Sequence, residues 1–303
     1  MAAPPPPIAV LRGHDLSITS LCFQGNRLFS ASRSGEIYCW DLKTRRISLT
    51  LAKSPGETDD GILRVCADDS HIVANSRLGR ILIFNLDGQL QHEEMTRISN
   101  GFAGCRISGT DIVFADAFDG RIMIYDLNSN TYFPIATFNG HGMIMDISSI
   151  DTFIGVVHED STISVWDTRN SSEPLWKNNL KLQDPLISLS LIKERSGTIG
   201  ERCVVGGSKE PIYEVTKDTS SIFYNMPHPG IDDIVIRSDG KIWATAGWDG
   251  RVRLFDAKKK KPLAVLKHHQ GGIHTVAFAD DGLLAAGGDD RGIALWSLYR
   301  QQP

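Results

Sequence analysis

GWDGRVRLFDA, residues 247–257, reads as a tight turn feeding a short β-strand. Gly250, behind Asp249, supplies the backbone freedom that a tight hairpin turn requires. Beyond the turn the side chains alternate. Val252 and Leu254 fall on one face and Arg251, Arg253 and Phe255 on the other, which is the two-residue period of a strand.

Six other segments follow the same plan: SRSGEIYCWDL (32–42), SRLGRILIFNL (76–86), AFDGRIMIYDL (117–127), HEDSTISVWDT (158–168), GSKEPIYEVTK (207–217) and GDDRGIALWSL (288–298). Gly35, Gly79 and Gly120 repeat the turn glycine. The terminal aromatic recurs at Trp40, Phe84, Tyr125, Trp166, Phe255 and Trp296, with Val215 in the one degenerate copy. Successive separations are 44, 41, 41, 49, 40 and 41 residues. A period of about 40 to 45 residues is that of a four-stranded blade. On these residues the chain resembles the WD-repeat family. The resemblance implies an all-β fold, a single seven-bladed β-propeller, with each aromatic packed between neighbouring blades.

His14, His141, His228 and the pair His268 and His269 lie 25 to 28 residues before an aromatic. WD repeats place a Gly-His dipeptide there, and Gly13 with His14 and Gly140 with His141 keep it. In that family the histidine, a turn aspartate and the strand tryptophan share a hydrogen-bonded network. The resemblance implies this bracing role for His14, Trp40, His141, Asp160, Trp166, Asp249 and Trp296. His141, Asp160 and Trp166 are the best preserved set, with His158 read as replacing the usual Ser or Thr and leaving the network partial.

A propeller must also close its ring, because an open edge strand invites association. IAVLRGH (8–14) mirrors LAVLKHH (263–269), and the sequence stops a few residues after Trp296. The N-terminal segment is therefore expected to pair with the last blade as its fourth strand. This gives a Pro-rich tail over 1–7, the propeller over 8–300 and a short tail over 301–303.

The formal net charge of -4 provides no global basic field for nucleic acid. The five cysteines, Cys22, Cys39, Cys66, Cys105 and Cys203, are scattered and form no C-x-x-C, so reduced thiols in an intracellular protein are expected. MAAPPPP lacks the features of a signal peptide, and no apolar run is long enough to span a bilayer, which points to the nucleus and cytoplasm. No nucleophile elbow, phosphate-binding loop or zinc motif occurs, so neither catalysis nor a cofactor or metal is expected. His268, His269 and His274 form the densest histidine group and are read as structural. The pairs Asp59 and Asp60, Asp68 and Asp69, Asp232 and Asp233, and Asp289 and Asp290 are read as turn or loop hydrogen-bonding residues.

Turns joining second to third strands, together with the connections between blades, fall on one face. The residues before the turn aspartate ring that face: Arg33, Arg77, Phe118, Glu159, Ser208, Trp248 and Asp289. Trp248 and Phe118 either fold down on neighbouring loops or anchor a partner. Arg33 and Arg77 sit on adjacent blades and could flank an acidic segment, and the acidic connection 55–60 belongs to the same face. The opposite face should carry KKKK (258–261), either a solvated turn, an import signal or a contact for an acidic partner. It should also carry the insertion KERSGTIGER (193–202) of blade five. That blade, with Val215 for the aromatic and Pro211 read as lying in a strand, is the least regular.

A narrower resemblance rests on ATAGWDGRVRLFD, KPLAVLKHH and VAFADDGLLAAGGDDRGIALWSLY in the last two blades, with the Pro-rich start before VLRGH and the TRR after the first Trp-Asp. These are similar to the family of guanine nucleotide-binding protein β-subunit-like protein 1 and its fungal counterpart, ASTRA-associated protein 1. That resemblance implies a non-enzymatic, monomeric scaffold within a larger complex. Its implied partners are components of the TTT co-chaperone and phosphatidylinositol-3-kinase-related kinases, with neither nucleic acid nor membrane, and with a link to chromatin-remodelling assemblies. A general WD-repeat adaptor in ubiquitin ligation or ribosome biogenesis is the alternative, and a small-ligand-binding or catalytic propeller a third.

Overall fold

Seven antiparallel sheets of four strands each succeed one another along the chain. The computed structural model describes residues 4–52, 60–95, 103–109, 111–116, 121–129, 131–137, 141–170, 172–194, 196–209, 211–226 and 230–298. In each of the first six blades the strands pair in sequence order from inner to outer. Blade six, for example, runs Ile231–Ile236, Ile242–Gly247, Arg251–Asp256 and Lys261–Lys267. The seventh sheet breaks the rule as the repeat required: its fourth strand is Ala9–Arg12, antiparallel to Gly292–Ser297, with Ala9 opposite Leu295 and Leu11 opposite Ile293. A seven-bladed β-propeller closed by its N-terminal strand results.

Each junction between blades has its own apolar core, and the strand aromatic always faces the preceding blade. Trp40 packs with Leu11, Leu295 and Ala285 of blade seven, and Trp296 packs with Val252, Leu254 and Leu266 of blade six. Phe255 lies against Val204, Ile212 and Phe223 of blade five. Truncating such a ring to alanine costs about 3–5 kcal/mol. At the junction of blades four and five, Val215 stands where the other blades carry an aromatic. Trp176, from the outer strand of blade four, is buried in that same core, and its indole N–H donates to the Gly200 carbonyl at 2.5 Å. Gly200 has a φ of 85°, and a Cβ there would approach Phe153 to 2.8 Å, so the insertion of blade five is itself a packing element.

The inner strands are also stitched through side chains. Six of them have a register irregularity near their start, as between Ile18 and Ser20 or Ile144 and Asp146. The residue after the irregularity accepts a backbone N–H from the next blade: Ser20 from Val65 (3.1 Å), Asp146 from Leu189 (3.0 Å), Ser188 from Ile234 (2.9 Å), Asp233 from Val276 (3.0 Å) and Thr275 from Leu21 (3.2 Å). Each such buried bond contributes about 1 kcal/mol net. Blade two has Arg64 at this position instead.

Two readings of the sequence need correction. Pro211 precedes the strand Ile212–Thr216 rather than interrupting it, where its missing N–H removes no ladder bond. Asp232 and Asp233 lie within the inner strand of blade six, and the two-residue period sends them to different environments. All five cysteines are free thiols, with Cys39, Cys105 and Cys203 buried.

Candidate functional site

The predicted ring has a common backbone device. The N–H of the ring residue donates to a carbonyl in the loop that enters its own blade: Arg33 to Ser17, Arg77 to Gly61, Glu159 to Met143, Ser208 to Pro185, Trp248 to Gly230 and Asp289 to Gly272, at 2.8 to 3.3 Å. Phe118 lies outside the described residues. This bond pins the turn between the second and third strands to the incoming loop, fixing the backbone beneath each ring side chain. Loops held this way lose little freedom on binding a partner.

Blades six, seven and one build the most developed part of the face. Trp248 is 44% exposed, with one ring face resting on Gly230, whose φ of 92° and lack of Cβ make the approach possible. The Trp248 indole N–H donates to Asp232 Oδ1 at 2.5 Å. Asp232 Oδ2 also pairs with His274 Nδ1 at 2.5 Å, while His274 Nε2 reaches Asp289 Oδ1 at 2.8 Å. Asp289 Oδ1 accepts the Ser17 hydroxyl at 3.1 Å, and its Oδ2 accepts the Gly272 N–H. Hydrogen bonding to Asp232 outweighs partial burial and, with Asp289, lifts the His274 imidazole to about 9. Burial opposes ionisation of Asp289, yet the contacts from His274 hold its carboxyl below the usual range. His274 is therefore a cation at neutral pH, clamped between carboxylates of two blades. Thus Trp248 both rests on its neighbouring loop and presents a free face.

Leu16 (48% exposed) and Leu78 (43%) lie on the same face, on the loop entering blade one and the turn of blade two. The sequence signal for Leu78 is its occupation of the turn position elsewhere held by Asp. Glu159 turns back on its own blade and accepts the Met143 N–H at 3.4 Å. Of the acidic connection, 55–59 lies outside the described residues, while Asp60 is buried, bonded to Arg80 and to the Leu78 N–H.

The blade networks differ from the expected pattern. Blade one has the complete set: Ser30 Oγ bonds both His14 Nε2 (2.7 Å) and the Trp40 indole N–H (2.8 Å), and His14 Nδ1 pairs with Glu36 at 3.0 Å. Glu36, two residues beyond the usual aspartate position, reaches the histidine from the far arm of the hairpin. In blade four His141 pairs with Asp160 at 2.7 Å, but Trp166 donates to Ser164. Strand register explains the difference. Leu28 pairs with Trp40, and Ser30 follows by two; Ile154 pairs with Trp166, and two residues on stands Val156. His158 thus occupies the place of Ser32, not the expected Ser position, and burial lowers its imidazole to about 4. In blade seven it is His269 that meets Asp290, at 2.9 Å. Asp249 bonds Arg253 bidentately, while His228 lies outside the described residues.

A second polar site, on the axis, escaped the sequence reading. Arg64 of blade two reaches Asp146 of blade four at 3.1 Å and lies 3.9 Å from Asp233 of blade six; Arg106 of blade three is 3.4 Å from Asp146. These blades are not neighbours of blade two except for blade three, so the cluster crosses the central channel. Burial disfavours the Arg64 charge, but the two aspartates reverse the balance and raise its affinity for the proton.

The family model for "WD domain, G-beta repeat" matches residues 5–41, 132–167, 222–256 and 260–297. The chain is 31% identical over 331 residues to guanine nucleotide-binding protein subunit beta-like protein 1 of Mus musculus, covering 98% of this chain and 97% of the mouse protein. ASTRA-associated protein 1 of Verticillium alfalfae is 24% identical over 92% of this chain and 80% of its own length. Its namesake from Schizosaccharomyces pombe is 48% identical over 79 residues, 26% of this chain and 22% of that protein. With its repeats, its closed ring and a match along nearly the whole of the mouse protein, the chain belongs to the WD-repeat family of guanine nucleotide-binding protein subunit beta-like protein 1.

Proposed function

We propose that this propeller is a non-catalytic scaffold whose ring face holds partner proteins, acting as an adaptor in co-chaperone-assisted maturation of phosphatidylinositol-3-kinase-related kinases in the nucleus and cytoplasm. The observation that carries the binding role is the exposed Trp248, oriented by Asp232 and flanked by the His274 clamp. A large aromatic held in one rotamer on pinned loops is the kind of anchor that dominates interface energetics. The relatives named for association with ASTRA direct the reading to this class of assembly. Affinity purification of the tagged chain followed by mass spectrometry tests it: TTT components or the kinases are expected, and their absence would overturn the assignment. Trp248→Ala should weaken that recovery while leaving the melting temperature within a few degrees of wild type. A large loss of stability would make Trp248 a packing residue instead.

A further inference from the structure

On the face opposite the ring, the insertion of blade five and the lysine turn of blade six form the two walls of one groove of about 820 Å³. One wall carries Lys193 at the base of the insertion hairpin, and the other carries the turn with Lys258 and Lys259. Lys241, from the hairpin between the first two strands of blade six, completes the rim. Ile192, Trp243 and Ala257 make an apolar floor.

The carboxylates in this groove are already engaged. Arg202 bonds both Glu194 and Glu214, and Glu214 also takes Lys260 at 2.6 Å. Asp239 receives two hydrogen bonds from Arg237, at 2.9 and 2.6 Å, and Asp256 accepts the backbone N–H groups of Lys258 and Lys259. The rim ammonium groups are held far less firmly. Lys193 is 3.7 Å from Asp151, Lys259 3.9 Å from Asp256 and Lys241 4.0 Å from Asp239, and exposed pairs of this kind are weak.

The turn itself does not require lysine. Its shape comes from Asp256 and from a left-handed residue at 260, where φ is 51°. Blade two uses Gly88 at the corresponding place, and blade one builds the same turn on Asp41 with Arg45. The side chains of Lys258 and Lys259 are thus available to the groove.

We propose that this groove docks an extended acidic segment of a partner protein. Its carboxylates would pair with Lys258 and Lys259 on one side and with Lys193 and Lys241 on the other, and an intervening apolar side chain would sit on the floor. The inference is independent of the ring face and of the co-chaperone reading.

Fluorescence anisotropy on the full chain provides the test, with a fluorescein-labelled peptide of repeated Glu-Glu-Leu as probe and repeated Lys-Lys-Leu and single-stranded oligouridine as comparisons. The acidic peptide alone should bind, more weakly as salt rises from about 50 to about 300 mM. Lys258→Glu with Lys259→Glu, and separately Lys193→Glu with Lys241→Glu, should each weaken binding by roughly tenfold or more, whereas Trp248→Ala should leave it unchanged. Melting curves would confirm that these surface variants stay folded. No binding, retention of binding after charge reversal of either wall, or tighter binding of the oligonucleotide would overturn the proposal.

Discussion

Ser30 serves as acceptor and donor at once, between the His14 imidazole and the Trp40 indole, and blade seven lacks only this atom. His269 and Trp296 are both in place and buried, but Ala286 stands at the position of Ser30, since Leu284 pairs with Trp296 as Leu28 does with Trp40. Among the described residues, His269 Nε2 and Trp296 Nε1 consequently have no hydrogen-bond partner. Ala286→Ser should supply both bonds and stabilise the fold by about 1 kcal/mol, raising the melting temperature by a few degrees; a fall would show that the hydroxyl cannot reach either nitrogen. Ser30→Ala, the converse change, should cost about 1–3 kcal/mol. His274 makes a second prediction at this scale. A free imidazole titrates near 6.5, and the folded one at about 9. The folded state holds the proton more tightly, so this contribution to stability is full below about pH 6.5 and is lost as pH rises through about 9. Melting temperatures measured across that window should fall for wild type and stay flatter for His274→Gln. An equal slope in both would assign the effect to other groups.

At the scale of strands and turns, most of the architecture was legible in the sequence, because the information is local. The two-residue alternation of RVRLF places Phe255 and Val252 in the cores of opposite junctions, and IAVLRGH declares itself an outer strand by likeness to LAVLKHH. The blade-four network was misassigned for a physical reason. Counting from the histidine does not reveal which residue of the second strand stands two beyond the partner of Trp166, since pairing register decides that, and it puts Val156 there. The role of the insertion was equally hidden: Gly200 meets Trp176 from another blade, a contact no spacing rule encodes. The closing strand yields the prediction for this scale. Removing residues 1–12 would expose the unpaired edge of Gly292–Ser297 and the apolar surface that Leu11 covers, and such an edge recruits other strands. Size-exclusion chromatography should show oligomers or aggregate, and a synthetic peptide of residues 4–13 added in trans should shift the profile back toward monomer. A truncated chain that remained monomeric and as stable as wild type would mean that the closing strand is dispensable.

For the molecule as a whole, stability depends on a ring whose blade cores, among the described residues, join neighbouring blades, while the charges on the axis reach across it. Arg64 is 82 residues from Asp146, and their meeting depends on closure of the ring rather than on any local pattern. Sequence inspection had no means of pairing them. Replacing Arg64 by Met preserves much of the volume but removes the guanidinium nearest Asp233 and leaves Asp146 to Arg106. Breaking a buried pair on one side costs about 3–5 kcal/mol, so the melting temperature should fall by roughly 10 °C. The sign with pH separates this charge effect from lost packing. Burial already raises the Asp233 carboxyl against the opposing pull of Arg64. Without the arginine, the folded state should bind a proton there still more tightly than the unfolded chain, so acidification favours folding at this site. The deficit of Arg64→Met relative to wild type should therefore shrink as pH is lowered from about 7 to about 5, and adding Asp233→Asn should restore part of the stability at neutral pH. A deficit that does not change with pH, with no rescue by the asparagine, would mean that Arg64 acts by filling space and that the propeller does not depend on the charges crossing its axis.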